Sequence, residues 1–340
     1  MAGEELTPMM RQYRRIKAEL PEGVILLFRL GDFYEMFFDD ARTAAPILGV
    51  ALTQRAGTPM CGVPYHAIDG YLAKLIRAGK KAALCDQMED PAQAKGIVRR
   101  EVTRVVTPGT VTEDEILDAA RNNYLAALYA GKGLGLALLN LSTGAFTVEE
   151  VADAATLVEH LKRYAPSECL VGREQRQDAR LSEVCASGAA GALTEIDDWT
   201  LEYDCAYDRL LRHFQVHSLQ GYGCEGDASL VCPAGALLHY VNEELRHNVG
   251  HVHALQVRQA DDFLALDEST CVNLDLIPQR GKAMEVTLLG VLNNTQTPMG
   301  ARLLRAWLLR PLRQAGPINA RLDTVECFTR QRLLLNDLRE

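Results

Sequence analysis

Phe33 and Glu35 stand two residues apart in the stretch Gly31-Asp32-Phe33-Tyr34-Glu35-Met36-Phe37-Phe38. On an extended strand, residues i and i+2 share a face. The phenyl ring and the carboxylate would then project together, as an apolar wedge beside a hydrogen-bond acceptor. A competing reading puts the aromatics in a core at a strand-to-helix junction and leaves Glu35 on a solvated helix, because Phe is normally buried. Pattern alone favours that plainer reading.

The elements that must position the pair lie on both sides of it. The run Val24-Ile25-Leu26-Leu27-Phe28 reads as a strand. Before it, residues 7–20 read as a helix capped by Thr7 and stopped at Pro21-Glu22-Gly23. After it, residues 39–48 read as helix, with Pro46 marking a kink or a split because it removes a backbone donor. A strand is expected at 50–53, a turn at 54–59, and a constrained loop at 60–66, where Gly62 and Pro64 would hold His66 against a helix over 69–78. Lys80 and Lys81 precede a strand at 82–85, and a strand at 98–107 ends at Pro108-Gly109, leaving residues 110–121 as a linker. Helices interspersed with short strands make this a compact mixed α/β domain.

Strands at 124–129, 136–141, 145–150 and 168–171, with helices at 154–164 and 203–214, give a second α/β domain of ribonuclease-H-like layout. A two-metal nuclease on that layout needs several carboxylates. Asn140 lies among Leu138, Leu139 and Leu141 where the first acid would stand, so a structural connector is the better account. From Cys232 onward the chain is mostly helical, with helices over 233–245, 301–309 and 318–338. Leu322, Val325, Phe328 and Leu333 to Leu335 call for a partner near the end of the chain, and a truncation is expected there.

The formal charge of -9 weakly opposes a nonspecific nucleic-acid coat. The average hides an asymmetry: residues 1–112 hold 15 Lys/Arg against 13 Asp/Glu, leaving 21 against 32 for the rest. Only the first region suits a polyanion on charge grounds. Nine cysteines, an odd number without Cys-x-x-Cys, fit reduced thiols better than disulfides. Cys224 and Cys232 with His213, His217, His247, His251 and His253 do not match a common zinc spacing, and no metal site is expected. Neither a leader pattern nor a run of about 18 apolar residues is visible, so neither export nor membrane insertion is expected.

Four ordered blocks then carry a family likeness: Gly31-Asp32-Phe33-Tyr34-Glu35-Met36-Phe37, Gly62-Val63-Pro64-Tyr65-His66-Ala67, Asp86-Gln87-Met88-Glu89-Asp90-Pro91, and Val102-Thr103-Arg104-Val105-Val106-Thr107-Pro108-Gly109-Thr110. They resemble the amino-terminal part of the bacterial MutS DNA mismatch-repair proteins, and Thr295-Gln296-Thr297-Pro298-Met299-Gly300-Ala301-Arg302-Leu303-Leu304 resembles the opening of that family's core domain. The resemblance implies a multidomain chain: a mixed α/β mismatch-recognition domain over 1–112, a linker over 113–120, a ribonuclease-H-like connector over 121–248, and the start of an all-α lever or core domain over 249–340. It implies that Phe33 stacks on a mispaired or unpaired base from the minor groove while Glu35 accepts a hydrogen bond from it. Arg55, His66, Lys74, Lys80, Lys81 and Arg104 join them as candidate phosphate or groove contacts.

No residue is expected to be catalytic. The loop Gly-x-x-x-x-Gly-Lys-Ser/Thr is absent from the chain, so no cofactor is expected here, and ATP and magnesium are expected only in a carboxy-terminal region beyond it. Asp275 departs from the family pattern, keeping the charge of a commoner Glu at shorter reach. The expected partners are mismatched double-stranded DNA and repair proteins that meet the connector, in a cytoplasmic, nucleoid-associated setting. The family's full-length members form dimers through a region expected to lie outside these residues. The alternative function is a noncatalytic protein-interaction fragment acting through the connector.

Overall fold

The computed structural model describes residues 7–21, 23–89, 98–111, 122–258, 263–264, 266–277 and 284–337. The linker expected over 113–120 lies outside the described residues. The first unit runs α1 (Pro8–Ala18), β1 (Val24–Leu30), β2 (Phe33–Phe37), α2 (Phe38–Leu48), β3 (Thr53–Arg55), β4 (Thr58–Pro64), α3 (Ile68–Arg77), β5 (Lys81–Gln87) and β6 (Arg100–Val106). Its sheet has the order β3-β4-β2-β1-β5-β6. Only the β1–β5 pair is parallel.

β1 is apolar throughout because both its faces are covered. Val24, Leu26 and Phe28 pack on the side of α1, with Tyr13 and Phe37, whereas Ile25 and Leu27 pack on the side of α2 and α3, with Leu48, Leu72 and Leu75. Thr7 caps α1 by accepting from the Met10 N–H.

Three local expectations are corrected. α2 is not split at Pro46, which lies exposed within the helix. The strand expected at 50–53 and the loop expected at 60–66 are instead a hairpin, β3–β4, joined by Ala56 (φ 46°) and Gly57 (φ 76°). Two left-handed residues are what a tight two-residue hairpin requires. Gly62 and Pro64 read as loop residues, but β4 is an inner strand with partners on both sides.

The second unit runs β7 (Leu125–Ala130), β8 (Leu134–Asn140), β9 (Ala145–Val151), α4 (Ala154–Tyr164), β10 (Glu168–Gly172), α5 (Ala179–Ala186), β11 (Ala192–Ile196), α6 (Tyr203–Phe214), α7 (Ala228–His239) and β12 (Leu255–Val257). Its sheet order is β11-β10-β7-β8-β9-β12. The sheet therefore reaches Val257, beyond the boundary expected at residue 248. α5 and β11 had no counterpart in the sequence reading. α7 lies close on β8: a Cβ at Gly135 would come within 1.9 Å of the Ser229 carbonyl oxygen.

The remaining described elements are α8 (Glu268–Asn273), α9 (Leu288–Leu292), α10 (Pro298–Leu309), α11 (Ala315–Arg330) and α12 (Arg332–Asp337). The helix expected over 318–338 is thus divided at Gln331, and Leu338 lies outside the described residues. Thr297 caps α10. Leu322, Val325 and Leu333 are exposed. Among the described residues no helix is long and apolar enough to cross a membrane.

Candidate nucleic-acid interface

β1 and β2 form a hairpin in which Leu30 pairs with Phe33 across the two-residue loop Gly31-Asp32. Gly31 supplies the left-handed backbone, φ 57°, that such a loop needs at its first position. Phe33 is consequently the first residue of β2, at the tip of the hairpin, and is 47% exposed. Its strand neighbours alternate. Tyr34 and Met36 are buried against α2 and α3, while Phe37 packs edge-on to Tyr13 at 5.1 Å under α1. Phe33 and Glu35 share the Phe37 face.

The base of this arrangement is fixed by Asp40 at the start of α2. Its carboxylate accepts from the Tyr13 hydroxyl at 2.7 Å, the Leu26 N–H at 3.0 Å and Lys17 Nζ at 2.7 Å. Tyr13 in turn accepts from the Phe37 N–H at 3.3 Å. Burial, and then the Asp40 charge, push the Tyr13 hydroxyl far above the usual phenol range, so it stays a donor. Phe38 takes a left-handed φ of 56°, rare for an aromatic residue, with the Arg14 guanidinium 4.5 Å above its ring. On the other face, Tyr34 donates to Asp86 at 2.5 Å; burial first, and then that bond, push its hydroxyl up to about 12.

Glu35 lies opposite Phe28 on β1 and Gly62 on β4. Gly62 presents no side chain there, and Arg55 of β3 places Nη1 2.6 Å from Glu35 Oε2. The pair is unequal: the Glu35 side chain is 14% exposed and that of Arg55 49%. Pro64 is paired with Phe33, and the next two residues are exposed, Tyr65 and His66, whose rings meet edge to face at 5.8 Å. The Arg29 guanidinium sits 3.8 Å over the Tyr65 ring and donates from Nε to the Gly31 carbonyl at 2.6 Å. This corner of the sheet therefore carries, on the Phe33 face, an exposed aromatic and a carboxylate held by the Arg55 guanidinium, and, on the opposite Tyr34 face, the Arg29 guanidinium stacked on Tyr65, whose ring His66 meets. It offers stacking, hydrogen bonding and positive charge, and no group positioned for covalent chemistry.

Of the residues expected from the sequence, Phe33 and Glu35 share a face here and Arg55 contacts Glu35, while His66 lies two residues beyond Pro64, the β4 partner of Phe33, and meets Tyr65. Arg29 and Tyr65 belong to the corner and were not expected; Tyr65 sat inside the block around Gly62, beside His66, which was the available signal. Lys74 is elsewhere, donating to the Leu48 carbonyl at the end of α2 at 3.0 Å. Lys80 and Lys81 lie where Val24 pairs with Lys81, at the far end of β1 from Phe33. That is about 20 Å away at about 3.3 Å per strand residue. Lys81 is drawn into the junction with the second unit. Its Nζ lies 2.9 Å from Glu168 Oε1 and donates to Thr194 Oγ1 at 2.6 Å and the Tyr240 hydroxyl at 3.1 Å. Arg104, half-buried on β6, pairs in register with Leu84.

The Lys81 junction was also not foreseen. Glu168 is fully buried on β10 and accepts from Thr107, from Thr194 at 2.6 Å and from Tyr240 at 2.8 Å. Burial alone would raise its pKa, but the Lys81 charge and the hydroxyl donors outweigh burial and hold the carboxyl below its usual range. β6 is bound to the chain after α7 as well, through Val105 N–H to the Leu245 carbonyl at 3.2 Å and Arg246 to the Val102 carbonyl at 2.8 Å.

Comparison with known proteins covers nearly the whole chain. Residues 7–115, 123–253 and 269–340 match the families described as MutS domain I, MutS domain II and MutS domain III, respectively. The DNA mismatch repair protein MutS of Desulfosudis oleivorans is 44% identical over 332 residues, spanning 96% of this chain and 38% of that protein. Those of Salinibacter ruber and Syntrophomonas wolfei are 42% and 43% identical over 98% and 95% of this chain, and 38% of each relative is spanned. The chain thus spans under two fifths of the length of these relatives.

Proposed function

Because the chain belongs to the MutS family of DNA mismatch-repair proteins, we propose that its Phe33–Glu35 corner recognises mispaired or unpaired bases in duplex DNA from the minor groove. The observation that carries this reading is the phenyl ring of Phe33, nearly half exposed at a hairpin tip, with the Glu35 carboxylate on the same face. A residue so exposed adds little to the core, yet its ring has the shape to enter a base step. Apolar wedges in the minor groove kink duplexes by roughly 20–90°. Smooth bending of that order costs about 1–6 kcal/mol, and a mispair lowers the unstacking part of the cost. The wedge therefore reads deformability, and Glu35 accepts a hydrogen bond from the displaced base.

In this reading residues 1–112 are the recognition domain, 121–248 the connector and 249–340 the start of a helical core. The order β11-β10-β7-β8-β9, with three antiparallel strands followed by two parallel ones, supports a ribonuclease-H-like connector. No residue here is assigned a catalytic role. ATP hydrolysis and dimerisation are assigned to the portion of the relatives' length that the chain does not span, and contact with repair proteins to the connector.

The test is a binding titration of the chain on matched and G·T-mismatched duplexes at several salt concentrations. Phe33→Ala is expected to weaken mismatch binding by about 1–3 kcal/mol, the range for an aromatic stacked on a base, and to leave matched binding nearly unchanged. Equal affinity for both duplexes, unaltered by the substitution, would sink the wedge.

A further inference from the structure

The contact between Arg55 and Glu35 calls for an account of its own. A carboxylate aimed at duplex DNA meets a polyanion, and in the free protein this one is already covered: Arg55 reaches it at 2.6 Å and leaves its side chain 14% exposed. Arg55 arrives on the three-residue edge strand β3, exposed along its whole length and held in the sheet only by β4. Gly62, the β4 partner of Glu35, presents no side chain beside the carboxylate. The guanidinium is itself half exposed, so it can turn outward without unpacking a core.

Building on the wedge reading, we propose that Arg55 is a specificity-determining positioning residue that trades partners. On matched DNA it stays on Glu35 and masks the carboxylate's charge. When Phe33 enters a weak step and the backbone closes on the corner, Arg55 moves to a phosphate and Glu35 is released to the displaced base. An ion pair with its cation half exposed is screened and weakly held, whereas a guanidinium on a phosphate makes a charge-assisted, often bidentate contact. The exchange is therefore downhill only where a phosphate is delivered within reach. Discrimination then resides in Arg55 and Glu35 as a coupled unit, with neither acting alone.

The experiment is a double-substitution cycle on the full chain with R55Q, E35Q and R55Q/E35Q, each titrated with matched and G·T-mismatched duplex across a salt series, alongside F33A. R55Q is expected to lower the mismatch-to-match affinity ratio about fivefold, the scale of an exposed ion pair, when Glu35 is present. It should leave the ratio unchanged in the E35Q background, and R55K should restore part of it. An equal effect of R55Q in both backgrounds, with the salt slope falling by about one unit, makes Arg55 an independent phosphate contact and overturns the exchange. If the unsubstituted chain shows no mismatch preference and F33A is silent, the wedge reading itself falls, and the exchange with it. A preference that F33A abolishes while the cycle stays additive overturns the exchange alone.

Discussion

Glu35 and Glu168 occupy comparable positions, each on a sheet strand and each within 3 Å of one cationic nitrogen, and they serve opposite purposes. Glu35 faces the surface and, among the described residues, has a single charged partner, on an edge strand. Glu168 is fully buried between two units, where Lys81, Thr107, Thr194 and Tyr240 converge on its two oxygens. Near a surface the attraction is screened, and the pair can be exchanged for another at little cost. In the interior both charges have lost their water, and every partner is needed to replace it. The same chemistry thus makes a movable contact at the corner and a fixed joint at the junction.

The largest expected effect breaks the joint. Lys81→Ala leaves the Glu168 charge buried and uncompensated, and is expected to destabilise the chain by about 3–5 kcal/mol, read as a lower midpoint in urea unfolding. K81M/E168L should recover part of that loss, because replacing both charges by apolar groups removes the desolvation penalty. Recovery will be incomplete, since Thr107, Thr194 and Tyr240 lose their acceptor. A single substitution that costs under about 1 kcal/mol would put Lys81 in the same class as Arg55.

A second effect is the acid response of the same joint. Glu168 has a folded-state pKa below that of the unfolded chain, about 4.3 for Glu. The unfolded state therefore binds the proton first, and the stabilisation is fully present above about pH 4.3 and is lost as pH falls through the folded-state value. Each unit of difference is worth about 1.4 kcal/mol. Unfolding measured from about pH 6 down to about pH 3 should show stability falling less steeply in E168Q than in the unsubstituted chain. Identical slopes would mean that Glu168 does not carry the acid sensitivity.

The corner was more legible in the sequence than the joint, for a physical reason. Phe33 and Glu35 are two residues apart, so strand periodicity alone puts them on one face, and the apolar run of β1 announces the strand that supports them. Arg55 and His66 could be gathered by charge and by closeness to quoted blocks. Gly62 and Pro64 misled because they are loop formers by local preference, yet pairing of β4 with β2 decided their conformation. β11 escaped notice because it is short and only Ile196 in it is buried. The joint depends on Lys81, Glu168, Thr194 and Tyr240, which are far apart in the chain, and nothing beside Lys81 in sequence distinguishes it from the solvated lysine it resembles. Burial of a charge is a tertiary property, and local pattern does not report it.

The smallest expected effect completes the comparison. Glu35→Gln should change the stability of the free chain by no more than about 1 kcal/mol, because Arg55, its one cationic partner among the described residues, is half exposed and the amide still accepts from it. The same substitution should lower mismatch preference, so stability and recognition separate at this position. At Glu168 they cannot separate, because any change large enough to disturb a contact also disturbs the joint. Urea unfolding of E35Q beside its binding titration measures both quantities on one protein. A loss of stability above about 2 kcal/mol would place Glu35 among the buried, fixed pairs. The exposed face of β2 would then be a structural surface, and the recognition reading would have to rest on Phe33 alone.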